Sequence, residues 1–514
     1  MAKDGRVVSM KERTRSIDAE ANRESDSVER PKKSPNKGTP IAAEEMEGRT
    51  LAKRNAGEEA AIWIQSREMV SFGLEGVRRR ARKDKTCCFT SLLHHITPEL
   101  LRQSFYELNR KAVPGIDKMT WQEYEKQLEE RLPGLHAEIH KGSYRAKPVL
   151  RTYIPKADGK ERPLGVTAIE DKLVQQAVVT VLSPIYETEF YGFSYGYRPE
   201  RSPHRALDAL ATGILTRPIN WILDVDLQNF FDSIAHDTLL ELIRKRVGDK
   251  RVLRLISKWL KTGYSEDGKI MRQTAGTPQG SVISPLLANI YLHYALDEWV
   301  EKERRSHSDG EVIIVRYADD VVLGFQYKTV AERYLEALKE RLGTYSLILH
   351  PRKTRLIEFG RYAAERRKKR GEGKPESFDF LGFTHLCSQT RKGGYFLKRK
   401  TKSKGLRQTL QDIKASLRKQ MHAPLYQTGI WLRSVVQGHG NYFGVPGNSK
   451  SLKSFRDQVV KAWYRRLRRR SQKGRAMTWE RFRPIVDIYI PHLRICHEFP
   501  EVRFAITQGR SRMR

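Results

Sequence analysis

The stretch Arg316-Tyr317-Ala318-Asp319-Asp320 decides how this chain is read. Val312-Ile313-Ile314-Val315 precedes it and Val321-Val322-Leu323-Gly324-Phe325 comes after it. Both flanks are apolar and rich in β-branched residues, so they read as two strands of a packed sheet. Two adjacent carboxylates at the centre of such a run are costly, because burial opposes ionisation and like charges repel. A tight turn between the strands, with a divalent cation beside it, keeps both ionised; that is the arrangement of a phosphoryl-transfer metal site. A solvent-exposed Asp-Asp turn would explain the pair alone. The aromatic Tyr317, the length of the flanks and a second motif argue against it.

The second motif is Trp221-Ile222-Leu223-Asp224-Val225-Asp226-Leu227-Gln228-Asn229-Phe230-Phe231-Asp232. Here again an apolar strand ends in an acid, Asp226, and two aromatics follow. A third carboxylate can complete a two-metal site, in which the ions activate a 3′-hydroxyl and stabilise leaving pyrophosphate. Asp224 shares the strand face of Asp226 by alternation, so the sequence does not separate the two. Asp232 and Asp237 read as caps of the next helix. A third motif, Ala275-Gly276-Thr277-Pro278-Gln279-Gly280-Ser281, has glycines that let backbone approach a ligand and a glutamine that both donates and accepts. In the fourth, Tyr153-Ile154-Pro155-Lys156 and Arg162-Pro163-Leu164-Gly165, two cations flank a turn and can clamp a triphosphate. A Lys-Gly turn alone can equally be only a turn.

The chain has 514 residues, with 96 Lys+Arg against 61 Asp+Glu and a formal charge of +35. Most of that excess lies beyond Arg361, which makes the C-terminal third the part that faces a polyanion, nucleic acid first. No apolar run approaches the length of a membrane span and the N-terminus has no signal-peptide core, so no membrane role and a cytoplasmic or nucleoid location are expected. The four cysteines, Cys87, Cys88, Cys387 and Cys496, form no CxxC pair, which argues against a zinc site or a disulfide framework.

Residues 1–85 are polar and charged and read as a disordered or loosely ordered extension. Order is expected from about Ser91. Thr97-Pro98-Glu99 marks a helix start. Helices are expected over Trp121–Leu132, Ala168–Tyr186, His236–Val247, Ser284–Val300 and Val330–Leu342, and strands over 151–155 and Trp221–Val225. The fold class is α+β. After a basic run at Arg366–Arg370, a mainly helical basic region follows, with helices over Lys404–Lys419 and Leu452–Arg470. In it Lys461-Ala462-Trp463-Tyr464-Arg465-Arg466-Leu467-Arg468-Arg469-Arg470 combines arginines for phosphate with aromatics for base stacking.

Phe230-Phe231-Asp232 after Asp226, Thr277-Pro278-Gln279-Gly280-Ser281 and Tyr317-Ala318-Asp319-Asp320, in that order, resemble motifs A, B and C of a reverse transcriptase. More narrowly the chain resembles bacterial group II intron-encoded reverse transcriptase/maturases. The supporting stretches are Val113-Pro114-Gly115-Ile116-Asp117, Gly196-Tyr197-Arg198-Pro199, Pro285-Leu286-Leu287-Ala288-Asn289, Phe378-Asp379-Phe380-Leu381-Gly382-Phe383 and Val435-Val436-Gln437-Gly438-His439-Gly440-Asn441-Tyr442-Phe443. The resemblance runs from about Ser91 to Phe504. It implies a right-hand polymerase with fingers (86–215), a palm with an antiparallel sheet (216–365), a basic linker (366–377) and a mainly helical thumb/maturase domain X that binds RNA (378–514). It further implies that Asp226, Asp319 and Asp320, with the Leu227 carbonyl, hold two Mg²⁺ ions (Mn²⁺ as a substitute). Lys156 and Arg162 would hold the incoming triphosphate. Phe231, with Phe230 as fallback, would exclude a ribose 2′-hydroxyl, and Gln279 would sit by the nucleotide. Lys353 would protonate pyrophosphate as general acid. The implied partners are intron RNA as template, a DNA primer or target and dNTPs. No zinc-ligand pairs follow domain X, so no endonuclease domain is expected. The rival readings are an RNA-binding splicing cofactor with little polymerase role, and a domesticated reverse transcriptase of phage defence.

Overall fold

The computed structural model of the protein describes residues 73–155, 161–306, 309–390 and 392–508. The extension expected to be loose lies outside the described residues up to residue 72, and the 156–160 turn, with Lys156, also falls outside them. From 73 to 83 the chain is helical, and Leu74, Val77 and Ala81 are buried, so the loose-extension reading does not hold there.

The centre of the molecule is a four-stranded sheet. Its strands are β3 (Trp221–Val225), β6 (Val312–Tyr317), β7 (Asp320–Phe325) and β8 (Arg355–Glu358), in the order β6-β7-β3-β8 and antiparallel throughout. The apolar runs lack a polar alternation because both faces of the sheet are covered. Val312 and Ile314 of β6, Val321, Leu323 and Phe325 of β7, and Leu223 and Val225 of β3 enter one core. Ile313, Val315, Val322, Ile222 and Ile357 enter a second core on the other face. The two-residue side-chain period therefore splits each strand between two interiors. Register cannot slip without exchanging them.

A second four-stranded sheet flanks this centre: β1 (Val149–Pro155), β2 (Glu161–Val166), β4 (Tyr264–Glu266) and β5 (Lys269–Met271), in the order β2-β1-β4-β5. β1 and β2 form an antiparallel hairpin with Ile154 opposite Arg162. A three-stranded sheet, β9 (Phe378–Phe380), β10 (Phe383–Gln389) and β11 (Tyr395–Thr401), places Phe378, Phe380, Phe383 and Leu397 in the second core of the central sheet. This core therefore runs across residue 378 and also takes in Val445 from beyond β11. The basic run at 366–370 also begins as part of a helix, Ala363–Lys369, and Arg366 and Arg370 both pair with the buried Glu358.

Helix Pro98–Glu107 starts as expected, with the Thr97 side chain accepting from the Leu100 N–H at 3.2 Å. The helix expected over Trp121–Leu132 is two helices, Trp121–Glu125 and Leu128–Lys141, because Gln127 (φ −113°, ψ 7°) leaves helical geometry. Neither acid expected to cap the helix His236–Arg244 does so: its N-cap is Ala235, Asp237 lies in the first turn, and Asp232 sits within the short helix Phe230–Ser233. The long helix expected over Ser284–Val300 runs as Ser284–Leu292, passes through a π-turn at His293–Asp297 and resumes over Glu298–Ser306. Beyond β11, the helices Ser403–Lys419, Leu425–Phe443, Ser449–Arg468 and Trp479–Tyr489 enclose a separate core built on Leu410, Leu432, Phe455, Trp463 and Phe482.

Candidate active site

The turn between β6 and β7 is as tight as a hairpin allows. Tyr317 faces Asp320 in the ladder, leaving Ala318 and Asp319 as the loop. Ala318 takes a left-handed backbone (φ 56°), which a residue with a Cβ adopts rarely. Asp319 and Asp320 thus emerge at the end of the sheet. Asp226 arrives beside them just past β3, the neighbour of β7. Past β3 the chain makes a bridge at Leu227 and Leu349, in which the Asp226 carbonyl accepts from His350 N–H at 2.8 Å and Gln228 N–H donates to the Ile348 carbonyl at 2.9 Å. That bridge does not use the Leu227 carbonyl.

Asp224, Asp226 and Asp320 line one cleft of about 790 Å³, facing Lys353, Arg355 and Lys402. Asp320 is reached by water, yet the cleft walls crowd its carboxyl. Burial, followed by the Asp319, Asp226 and Asp224 charges, pushes it up to about 7, against the pull of the Lys402 ammonium. Burial also raises Asp319, opposed by the Arg162 guanidinium and then by Arg316, while Asp226 repels it. Asp224 rises to about 6, again chiefly through burial, with Arg355 pulling the other way from 3.7 Å. The geometry separates the two acids that the sequence left together. Asp226 acts on both Asp319 and Asp320, whereas Asp224 has Arg355 as its own counter-ion.

Lys353 Nζ lies 3.1 Å from both oxygens of Asp226, so an ammonium holds the place where a cation would bind that carboxylate. Among the described residues no three His, Cys, Asp or Glu side chains stand close enough to hold an ion. The donors are nonetheless right for one. They are hard carboxylate oxygens whose mutual repulsion a divalent cation would relieve.

Next to this cleft the third motif packs on β2. Gly165 N–H donates to the Gln279 carbonyl at 2.6 Å. Gly280 has φ +100°, and a Cβ there would lie 2.8 Å from the Gly165 carbonyl oxygen, so glycine is required. The Gln279 Oε1 atom is buried and has no partner, in a pocket shared with Arg151, Gly165, Asp232 and Gln273. An orphan acceptor of this kind calls for a ligand or water. Asp232, read from the sequence as a helix cap, is thus a pocket residue; the aromatic pair before it was the available signal. Arg162 is exposed on β2 and its charge reaches Asp319. Phe230 is buried in the main core, so of the two aromatics only Phe231 keeps ring surface outside it. The rings meet edge to face at 5.3 Å, and the Phe231 carbonyl accepts from Thr277 N–H at 2.8 Å.

The aromatics of the basic helix Ser449–Arg468 are not where the sequence reading put them. Trp463 is fully buried in the core of the C-terminal helices. Tyr464 packs edge-on against Trp479 and donates its hydroxyl to the Met477 carbonyl at 3.1 Å. Trp463 is therefore unavailable for base stacking, while Tyr464 stays half-exposed. Lys461, Arg465, Arg468 and Arg469 remain exposed.

Residues 154–385 match the profile of the family described as reverse transcriptase (RNA-dependent DNA polymerase). Protein YkfC of Escherichia coli is 37% identical over 221 residues, which is 41% of this chain and 58% of that protein. Group II intron-encoded protein LtrA of Lactococcus lactis is 36% identical over 232 residues, 44% of this chain and 38% of the relative. An uncharacterized 91 kDa protein in a cob intron of Schizosaccharomyces pombe is 44% identical over 154 residues, 30% of this chain and 19% of the relative. Each match thus spans little more than half of the relative's length, or less. No helix among the described residues is long and apolar enough to cross a membrane.

Proposed function

We infer that this chain, which carries a reverse transcriptase domain akin to those of group II intron-encoded proteins, copies RNA into DNA and assists the splicing and retromobility of its intron RNA. The observation that carries this reading is the cleft at one end of the central sheet lined by Asp226 and Asp320, with Asp319 in the adjoining turn, beside a pocket with an orphaned Gln279 acceptor.

Asp226, Asp319, Asp320 and the Leu227 carbonyl would hold two divalent ions. When bound, such ions polarise a 3′-hydroxyl and balance the charge of departing pyrophosphate. The protein's own groups do the rest. Arg162, together with Lys156, binds the triphosphate of a dNTP. Gln279 offers its unpartnered oxygen to the nucleotide. The Phe231 ring fills the space a ribose 2′-hydroxyl would need. Lys353, whose ammonium lies 3.1 Å from both Asp226 oxygens, is the group that would give a proton to pyrophosphate. Fingers, palm and thumb/domain X are assigned to residues 86–215, 216–365 and 378–514, with intron RNA as template and a DNA primer or target. The exposed arginines of the last domain supply phosphate contacts.

The test is incorporation of dNTPs on an RNA template with a DNA primer, by wild type and by Asp319→Ala. Splicing by the same variant separates the two activities, because RNA folding on the basic domain needs no acid at position 319.

A further inference from the structure

Of the stretch Arg316–Asp320, Arg316 has no part in the proposed chemistry, and its side chain is the least accessible. The side chains of Arg316 and Asp297 are both 0% exposed. A guanidinium taken out of water is tolerated only when its N–H groups find partners. Here Nε and Nη2 of Arg316 donate to the two carboxylate oxygens of Asp297 at 2.7 and 2.6 Å. Nη1 donates to Oδ1 of Asn289 at 2.9 Å and to the Ala318 carbonyl at 3.0 Å. Ala318 is the left-handed residue directly before the aspartate pair. A non-glycine residue persists in that conformation where its surroundings over-determine it.

Two further observations converge on the same turn. The first is the π-turn at His293–Asp297, whose last residue is Asp297. A π-turn inserts an extra residue into a helix and re-aims the side chains beyond it; such turns are rare and concentrate at functional positions. The second is Gly196. Its carbonyl accepts from Asn289 Nδ2 at 2.7 Å, and a Cβ on it would lie 2.2 Å from the Ala318 nitrogen. The loop carrying Gly196 is laced to β6 from both sides, with Tyr195 N–H donating to the Arg316 carbonyl at 2.8 Å and Arg316 N–H donating to the Phe193 carbonyl at 2.9 Å. The turn is gripped by a guanidinium on one side and by backbone on the other.

We propose that Arg316, Asp297 and Asn289 are positioning residues that set the Asp319 and Asp320 carboxylates, through the Ala318 carbonyl and the Gly196 backbone, where polymerisation requires them. The inference rests on the reading of those aspartates as the polymerase acids. The competing account is a buried ion pair that serves the fold alone. The two accounts part at the pair's apolar replacement, because exchanging a buried ion pair for well-packed apolar side chains is often neutral or stabilising.

The experiment uses the full chain and the double variant Arg316→Met/Asp297→Leu, with Gly196→Ala as a second variant that leaves every charge in place. Three quantities are read: thermal melting, Mn²⁺ affinity without nucleotide, and the kcat and KM for dTTP on a poly(rA)–oligo(dT) substrate. Both variants are expected to melt cooperatively and to keep KM within about 3-fold. Both should lose roughly 10²-fold in kcat, the scale that an ångström of misplacement costs, and bind Mn²⁺ more weakly. A folded double variant, or a folded Gly196→Ala, with wild-type kcat and wild-type Mn²⁺ affinity would overturn the proposal. If the wild type itself fails to incorporate dTTP, the polymerase reading falls, and the Mn²⁺ titration still decides whether the network positions the acids.

Discussion

The two sides of the acidic cleft are held in opposite ways. Asp319 and Asp320 stand on a turn fixed from beneath by a fully buried guanidinium with partners on all sides. Asp226 stands at the end of β3, and its counter-ion is Lys353, whose side chain is 61% exposed. An exposed pair at 3.1 Å contributes little and is screened by salt. One side of the site is thus set by the fold, and the other can exchange its cation.

The comparison can be broken at several points. The largest effect is expected at the fixed side. Asp319→Ala removes a carboxylate that no neighbour can replace, and incorporation on an RNA template should fall by at least about 10³-fold, with melting little changed, since the wild-type carboxyl is raised by burial rather than stabilised by it. At the exchangeable side, Lys353→Met removes the ammonium that competes for Asp226. The half-saturating Mg²⁺ concentration should fall, while kcat at saturating Mg²⁺ drops by roughly 10²-fold if Lys353 also serves as general acid. A Mg²⁺ titration of rate at fixed dNTP reads both numbers; an unchanged half-saturation would remove the idea that Lys353 stands in for a cation.

The protonation of the fixed side gives the next effect. Without metal, Asp320 is raised to about 7, so below that pH a cation must displace a proton in order to bind. Mg²⁺ or Mn²⁺ affinity should therefore weaken by up to about tenfold for each pH unit below 7 and level off above it. Direct titration of Mn²⁺ at several pH values checks this, and a flat profile from about pH 6 to 8 would contradict it. The smallest effects concern the C-terminal helices, where burial divides neighbours that look alike in sequence. Trp463→Ala should cost about 3–5 kcal/mol of stability through a core cavity. Arg468→Ala should leave stability intact and reduce the salt slope of RNA binding by about one.

Much of the centre was legible because its physics is local. An apolar run that carries acids only at its ends can be satisfied in few ways, and β3, β6 and β7 lie where the sequence reading put them. The same reading placed Asp226 beside Asp319 through motif order alone. What it missed depends on packing between distant segments. Asp297 and Asn289 look like ordinary polar residues of a long helix, and nothing local announces a π-turn that aims one of them at Arg316. Trp463 and Tyr464 sit among arginines, but helical periodicity turns the tryptophan inward and the arginines out. Asp232 was read as a cap because the sequence does not reveal that the Thr277–Gln279 loop folds over it.

The most direct measurement is single-nucleotide extension of a DNA primer on an RNA template, with Mg²⁺, by the wild-type chain and by Asp319→Ala side by side. Extension by the wild type that disappears in the variant, with both proteins folded, is the result predicted from the three converging carboxylates. Equal extension by the two proteins, or none by a folded wild type, would contradict it.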